Sequence, residues 1–161
     1  MSAAGTLIAF AGLPGTGKTT VARHLSRQTG AVLLRVDEIE AAIRMFEERH
    51  DIGPEGYHVA AALAASNLEL GHDVIVECVN PWDLTRDIFR AAARRAEGSM
   101  VGVELVCSDL AEHRRRVESR TADVPGLVLP NWEKVVARDY SPWLDADLRM
   151  DTARTPPDVS A

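Results

Sequence analysis

Residues 12–19 read Gly-Leu-Pro-Gly-Thr-Gly-Lys-Thr and match the pattern G-x-x-x-x-G-K-[ST] at every defined position. Glycines in such a loop let successive backbone N–H groups converge on a phosphate without interference from Cβ atoms. The Lys18 ammonium can reach the β- and γ-phosphates of a nucleotide, and the Thr19 hydroxyl can bind Mg²⁺. The pattern therefore predicts binding of ATP together with Mg²⁺.

The position of this loop in the chain supports the same interpretation. It follows an apolar run, Thr6–Ala11, and precedes Lys18–Thr29, where apolar residues recur at helical intervals. A helix that begins near Lys18 directs its positive N-terminal end toward the phosphates, which a chance glycine turn would not do. We assign the donor phosphates to a P-loop formed by Gly12, Leu13, Pro14, Gly15, Thr16, Gly17, Lys18, Thr19 and Thr20.

Three polar residues follow the other predicted strands, at the sheet edge where ligands bind in open α/β sheets. Glu77 ends the third apolar run and can hold a magnesium-bound water; the alternative is a charge that only reaches solvent. Asp37 follows the second run and can accept the proton of a substrate hydroxyl; the alternative is a helix N-cap. Asn80 lies three residues beyond Glu77 and is a candidate for substrate binding.

Arginines are concentrated in the segment 114–120, just before a stretch with two prolines and a glycine. Arg116 and Arg120 are four residues apart and are predicted to share a helix face. Two guanidiniums beside a flexible loop suit a lid, where one stacks on a base and the other neutralises a transferring phosphoryl group. The alternative is a solvated face with salt bridges, such as Glu112 with Arg116.

Short apolar runs alternate with segments of helical periodicity along the whole sequence, which predicts an α/β protein with a parallel sheet. Beyond Thr6–Ala11, the predicted strands are Ala31–Val36, Asp73–Cys78, Met100–Cys107 and Leu148–Asp151. Helices are predicted after Asp37 and over Lys18–Thr29, Tyr57–Leu70, Pro81–Ala96, Asp109–Arg120 and Asn131–Arg138, with a loop at Thr121–Pro130. Trp132, Tyr140 and Trp143 are interpreted as core or lid packing rather than a substrate cage.

Length and charge limit the remaining possibilities. A chain of 161 residues fits one domain, 1–161, with a lid at about 116–131 and a polar tail at 154–161. The net charge of −6 argues against a broad nucleic-acid surface, so a nucleic-acid partner is not expected. The sequence has neither a signal peptide pattern nor an apolar run of about 18 residues, which leads us to expect a cytoplasmic protein without a membrane anchor. The two cysteines lack a metal-binding spacing and are expected to be buried thiols.

Nearly the whole chain, from Leu7 to about Ala153, resembles small P-loop kinases of the nucleoside-monophosphate, gluconate and shikimate kinase group, and within it the bacterial "AAA family ATPase" proteins. The residues that carry the resemblance are the P-loop, Leu34–Ile39, Val74–Cys78, Glu112–Arg120 and Arg138–Trp143. The resemblance implies a three-layer fold, a five-stranded parallel sheet flanked by helices, and ATP with Mg²⁺.

The resemblance also implies roles for particular residues. Asp37 corresponds to the base that takes the substrate proton, and Arg44 to a residue that clamps the acceptor. Arg116 and Arg120 are similar to lid arginines that pack on adenine and contact phosphate. Thr152, in the segment after the last strand, corresponds to residues that surround the adenine edge.

Taken together, these residues predict a kinase that transfers the γ-phosphoryl group of ATP to a hydroxyl of a small molecule. Lys18, Asp37 and Arg120 are the predicted catalytic residues; Asp37, Arg44 and Asn80 are predicted to bind the acceptor; Thr19 and Glu77 are predicted to bind the metal. Two alternatives stay open: a polynucleotide 5′-hydroxyl kinase, and a nucleotide-dependent switch or ATPase without an acceptor. The protein is expected to be a monomer or a homodimer.

Overall fold

The apolar runs form strands and the periodic segments form helices in the computed structural model, which describes residues 3–48 and 51–155. The strands are β1 (Thr6–Ala11), β2 (Val32–Arg35), β3 (Val74–Glu77), β4 (Ser99–Val106) and β5 (Leu148–Asp151). The helices are α1 (Lys18–Thr29), α2 (Val36–Glu47), α3 (Glu55–Glu69), α4 (Asp83–Arg95), α5 (Leu110–Ser119) and α6 (Trp132–Val136).

The five strands form one sheet in the order β2-β3-β1-β4-β5, and every neighbouring pair is parallel. The predicted fold class, a parallel sheet with flanking helices, is confirmed. Because all strands point the same way, the carboxyl ends of β1, β2 and β3 meet at one edge of the sheet. This edge carries the P-loop after β1, α2 after β2, and Glu77 at the end of β3.

Both faces of the sheet are covered, as continuous apolar strands require. In β3, Val74 and Val76 pack in a cluster with α3 and α4, whereas Ile75 packs on the other side with Val21 and Ala22 of α1. Side chains of successive strand residues point to opposite faces, so one strand supplies both cores. The result is a three-layer arrangement in which the loops at the carboxyl edge are free to form a site.

The junction of β2 and α2 differs from the prediction. Strand β2 ends at Arg35, and Val36 is already helical, so no loop separates the two elements. The N-cap is Arg35, with extended backbone and without a side-chain cap. Asp37 therefore lies inside the first helical turn, and its alternative role as a helix cap is wrong.

The end of α5 also differs from the prediction. The helix ends at Ser119, and Arg120 has extended backbone angles, φ −74° and ψ 152°. Arg116 and Arg120 thus do not share a helix face, since only Arg116 is helical. The predicted loop at Thr121–Pro130 is irregular, as expected. Helix α6 starts later than predicted because the Asn131 side chain caps it, accepting from the Lys134 N–H at 2.9 Å.

Two further expectations concern the ends of the chain and its relation to membranes. Most of the predicted polar tail, from residue 156 onward, lies outside the described residues. Across residues 3–48 and 51–155, the helices are too short or too polar to span a bilayer.

Candidate active site

The P-loop closes between β1 and α1 because its glycines accept geometries that other residues do not. Gly12 has φ +146°, and a Cβ there would lie 2.4 Å from the Leu105 carbonyl oxygen. Gly15 has φ +84°, and its Cβ would lie 2.6 Å from the Val117 side chain. Gly17 is the N-cap of α1 and supplies no side-chain cap, so the first N–H groups of the helix are left for an anion.

Buried contacts from distant elements hold the P-loop in place. The fully buried Thr152 hydroxyl donates to the Thr16 carbonyl at 2.7 Å. Arg116 in turn donates to the Thr152 hydroxyl at 2.8 Å and to its carbonyl at 2.9 Å. A phosphate-binding loop that is anchored in this way keeps its N–H groups oriented before any ligand arrives.

His113 of α5 makes a further contact with the loop. Its Nε2 atom lies 2.8 Å from the Pro14 carbonyl, and its ring packs edge-on against Trp132, with 5.1 Å between the ring centroids. Burial lowers the pKa of His113, while the Pro14 carbonyl opposes that shift. Because the partner is a carbonyl oxygen, Nε2 carries the proton and donates.

Lys18 is buried at the start of α1, and its Nζ atom donates to the Leu13 carbonyl at 3.0 Å. Burial lowers the pKa of Lys18, and the carboxylates of Glu77 and Asp37 oppose this effect. Lys18 therefore lies where the P-loop approaches the carboxylates of Glu77 and Asp37.

Thr19 and Glu77 contact each other directly, with 3.1 Å between Thr19 Oγ1 and Glu77 Oε2. The same carboxylate oxygen accepts from Arg35 Nε at 3.1 Å. The register of β2 and β3 pairs Arg35 with Glu77, so the salt bridge follows from the sheet itself. Glu77 is buried, and the alternative of a charge that only reaches solvent is therefore wrong.

The Arg35 guanidinium also joins the carboxyl edge to the loop after α5. Its Nη1 atom lies 3.0 Å from Asp123 Oδ2, and Arg23 of α1 binds the same oxygen at 2.5 Å. A hydrogen bond and two salt bridges thus connect Thr19 through Glu77 and Arg35 to Asp123. Sequence reasoning missed this connection because its members come from four separate segments.

One cavity of about 570 Å³ brings most of the predicted site residues together. Those that line it are Pro14, Gly15, Gly17, Lys18, Thr19, Thr20, Asp37, Arg44, Glu77, Arg116 and Arg120. Further charged residues in the lining, which the sequence analysis did not select, are Arg23, Arg35, Glu40, Arg115, Asp123 and Arg138. Leu127, Val128, Leu129 and Pro130 of the loop add apolar lining.

The remaining predicted residues are not part of this lining: Gly12, Leu13, Thr16, Asn80 and Thr152. Asn80 is fully buried; its backbone N–H donates to Tyr57 Oη at 3.1 Å, and its Nδ2 atom donates to the Phe10 carbonyl at 3.4 Å. It joins the end of β3 to β1 and to α3, so the structure does not bring it to the predicted acceptor position. Thr152 lies behind the P-loop, which it supports.

Helix α2 presents three charged residues to the cavity, Asp37, Glu40 and Arg44. Their spacing of three and four residues places them on one helix face, so Glu40 could have been found from the sequence. Glu40 and Arg44 form a loose ion pair with 3.5 Å between Oε2 and Nη2. Burial raises the pKa of Glu40 from 4.5 to about 7, with a further contribution from Asp37, while Arg44 and Arg138 oppose the shift.

Arg120 approaches the site from the end of α5. Burial lowers its pKa, and the carboxylates of Asp37, Glu77 and Asp123 counteract that change. Its Nε atom is buried and has no hydrogen-bond partner among residues 3–48 and 51–155. A buried N–H donor without a partner lowers the stability of the fold by its desolvation free energy unless a ligand supplies an acceptor.

Of the two aromatic residues after α6, Trp143 packs in the core and Tyr140 is half-buried beside it. Trp143 is buried against Gly102, where a Cβ would lie 2.5 Å from the indole. Glu104 accepts from Tyr140 Oη at 2.7 Å and from the Trp143 backbone N–H at 2.9 Å.

Cys78 and Cys107 are buried free thiols. Within the described ranges, no cluster of three or more His, Cys, Asp or Glu side chains could hold a metal ion.

The sequence of residues 7–138 matches the sequence model of a family described as an AAA domain. This match and the kinase structures below confirm the resemblance inferred from the motifs. No curated protein matches the chain.

Solved structures have the same fold as this chain. The APS kinase CysC of Mycobacterium tuberculosis, in complex with AMPPNP and APS, has a TM-score of 0.68 and 20% identity, with 96% of this chain and 92% of that chain covered. A gluconokinase of Sinorhizobium meliloti has a TM-score of 0.63 and 19% identity, with 99% and 89% covered. Kti12 of Chaetomium thermophilum, in complex with ADP-AlF3, has a TM-score of 0.65 and 20% identity, with 90% and 88% covered. At these identities the likeness shows the fold, which is P-loop kinase-like.

Proposed function

The chain belongs to the AAA-domain family, and we propose that it transfers the γ-phosphoryl group of ATP to a hydroxyl group of a small molecule. The observation that carries this proposal is that Lys18 and Thr19 of the P-loop line the same cavity as Asp37. A kinase needs a loop that binds the phosphates of the donor and a carboxylate that can accept the proton of the acceptor. Here both line one cavity.

On the donor side, the N–H groups of the P-loop, the N-terminus of α1 and Lys18 bind the phosphates. Each guanidinium nitrogen of Arg116 donates one hydrogen bond, to Glu112 or to Thr152, so the face of the guanidinium is left to stack on adenine. The buried Nε atom of Arg120, which no described residue accepts from, suits a contact with a phosphate oxygen.

Mg²⁺ fits the donor set formed by Thr19 and Glu77. A hydroxyl and a carboxylate oxygen lie 3.1 Å apart there, and Mg²⁺ typically takes one or two protein oxygens together with water and substrate phosphates. When bound, the ion neutralises charge on the β- and γ-phosphates. Arg35 holds Glu77 through one carboxylate oxygen, which fixes the orientation of the other.

In the proposed reaction, the oxygen of the acceptor hydroxyl forms a bond to the γ-phosphorus. The bond from that phosphorus to the bridging oxygen breaks, and its electron pair leaves with ADP. Asp37 accepts the hydroxyl proton, while Lys18 and Arg120 stabilise charge on the transferred group. The loop between α5 and α6 serves as a lid that excludes water, which keeps hydrolysis from competing.

The test is a screen of ADP release by the purified protein with MgATP and pooled nucleosides, sugars and aminoglycoside-like hydroxyl compounds. We expect one pool to raise ADP release well above the rate without acceptor, and mass spectrometry of that pool to show one added phosphate. A 5′-hydroxyl oligonucleotide in a parallel reaction tests the polynucleotide alternative. Slow hydrolysis that no compound stimulates would favour a nucleotide-dependent switch and contradict the proposal.

A further inference from the structure

One stretch of the cavity wall is apolar, although half of the lining residues are charged. Leu127, Val128, Leu129 and Pro130 are consecutive in the loop between α5 and α6, and all four line the cavity. All four keep contact with solvent: Val128 is 79% exposed, and the other three are half-buried. We call residues 127–130 the apolar segment. Consecutive apolar residues that stay accessible are typical of a binding surface rather than of an ordinary surface loop.

The apolar segment begins on the α2 side of the cavity. Gly126, just before it, has φ +77°, and a Cβ there would lie 2.8 Å from Met45 Cγ of α2. Three residues earlier, Asp123 pairs with Arg35 at the end of β2, at 3.0 Å. The loop is therefore seated beside the helix that carries Asp37.

The donor nucleotide is assigned to other parts of the cavity. Its adenine is assigned to Arg116, which bonds Thr152 beyond the end of β5. Strands β2 and β5 are the two outer strands of the sheet, and β1, which leads into the P-loop, is its middle strand. Neighbouring strands lie about 4.8 Å apart, so about 19 Å separate the β2 side from the β5 side. A donor bound in this way leaves the start of the apolar segment uncovered.

We propose that the phosphoryl acceptor is an amphipathic alcohol, whose reacting hydroxyl faces Asp37 while an apolar arm of the same molecule covers Leu127 and Val128. The proposal rests on the phosphotransferase function proposed above and specifies the chemical class of its acceptor. The arm takes no part in the bond changes of that reaction. It strengthens binding because apolar area leaves water, by about three- to four-fold for each methylene group that becomes buried.

The experiment compares matched pairs of alcohols that share a hydroxyl-bearing head and differ in the length of an alkyl arm. Methyl and butyl β-glucoside form one pair, and 1-O-methylglycerol and 1-O-butylglycerol form the other. Affinities are measured by calorimetry on protein saturated with MgADP, so that the probes cannot bind in the donor site. Binding of MgADP itself is measured first, and its absence would count against the proposed function rather than against the acceptor class.

We expect the butyl member of at least one pair to bind ten-fold or more tightly than its methyl partner, since three additional methylene groups become buried. Equal affinity within both pairs, or no detectable binding of either butyl compound, would overturn the proposal while leaving nucleotide binding in place.

Leu127→Ser and Val128→Ser test the residues themselves. Each is expected to reduce the ratio of butyl to methyl affinity at least three-fold while the affinity for MgADP stays unchanged. Because Val128 is 79% exposed, its replacement removes little packing within the protein.

Leu144→Ser is the matched control, because Leu144 is a 90% exposed leucine outside the cavity lining. It should leave the ratio as it is in the unsubstituted protein. A ratio unchanged in both Leu127→Ser and Val128→Ser would place the arm on other residues and overturn the assignment to the apolar segment.

Discussion

At the scale of single residues, substitution of Asp37 can distinguish the proposed catalytic role of its carboxylate from a purely structural role. It is the second residue of α2 rather than its cap, and it lines the cavity that contains Lys18. Its carboxylate near the helix N-terminus interacts favourably with the helix dipole, worth about 0.3–1 kcal/mol. That contribution is small compared with the effect of a general base.

Asp37→Asn is expected to reduce phosphoryl transfer by about a hundred- to ten-thousandfold, because the amide cannot accept the hydroxyl proton. The melting temperature should fall by only a few degrees at most. Initial rates of ADP release with the acceptor and a thermal melt measure the two effects. Glu38→Gln, a change at the exposed neighbouring carboxylate outside the lining, should leave both unchanged. A full transfer rate in Asp37→Asn would contradict the assignment.

Glu40 leads to a prediction about pH. Its pKa is 4.5 ordinarily and about 7 in the folded protein, with burial as the main cause. Between these values the folded state binds more protons than the unfolded chain, so the free energy of unfolding decreases as pH rises through this window. Above about pH 7, Glu40 is ionised in the folded protein as well, and the folded state carries the full free-energy cost of burying this charge.

Glu40→Gln removes that cost and should stabilise the protein at pH 8 by on the order of 1 kcal/mol, about 2–4 °C in Tm. Below pH 4.5 the variant and the natural protein should melt at similar temperatures. Thermal melts across pH 4–8 check this, with Glu69→Gln as a control at an exposed carboxylate. A stability difference that does not change with pH would show that burial of charge is not the cause.

At the scale of elements, the loop between α5 and α6 is tied to the sheet by one carboxylate. Asp123 accepts from Arg35 of β2 and from Arg23 of α1, and Arg35 also holds Glu77. The side chain of Asp123 is 36% exposed and that of Arg35 only 7%. The buried arginine thus links the position of the loop to the proposed metal-binding carboxylate.

Asp123→Asn should weaken this link and increase hydrogen–deuterium exchange in residues 121–130 several-fold, while exchange in the strands stays unchanged. Mass spectrometry of peptides from the loop measures the effect. Asp87→Asn is the control, because Asp87 pairs with Arg90 and lies outside the cavity lining. Unchanged exchange in the loop of Asp123→Asn would mean that the apolar residues 127–129 alone hold it.

At the scale of the whole molecule, binding of nucleotide should stabilise the fold, since the P-loop is anchored by β1, α1 and the buried Thr152. A ligand at 100 times its dissociation constant adds about 2.7 kcal/mol, or about 5 °C or more in Tm for a chain of this size. Thermal melts with and without millimolar MgATP measure this shift.

Lys18→Ala should lose most of that shift and abolish turnover, because the ammonium compensates phosphate charge. Lys134→Ala, at an exposed lysine of α6, is the matched control and should keep both. If MgATP did not raise the Tm of the unsubstituted protein, that result would contradict nucleotide binding.

The sequence by itself determined those features that depend on neighbouring residues. The P-loop is a contiguous pattern, and the alternation of apolar runs with helical periodicity predicted the strands and helices to within about two residues at most boundaries. Asp37 and Glu77 were found because they directly follow or end apolar runs, and the carboxyl ends of parallel strands share one edge. These inferences need only local geometry and one general rule about sheets.

The tertiary structure decided everything that depends on which segments become neighbours. The strand order places β3 between β2 and β1, and it is this order that pairs Arg35 with Glu77 and buries Asn80. Likewise, only the folding of α5 and the segment after β5 onto the P-loop brings Arg116 to Thr152. Residues far apart in sequence carry no local signal of their contact, because side-chain pairing across a sheet is set by packing of the whole core.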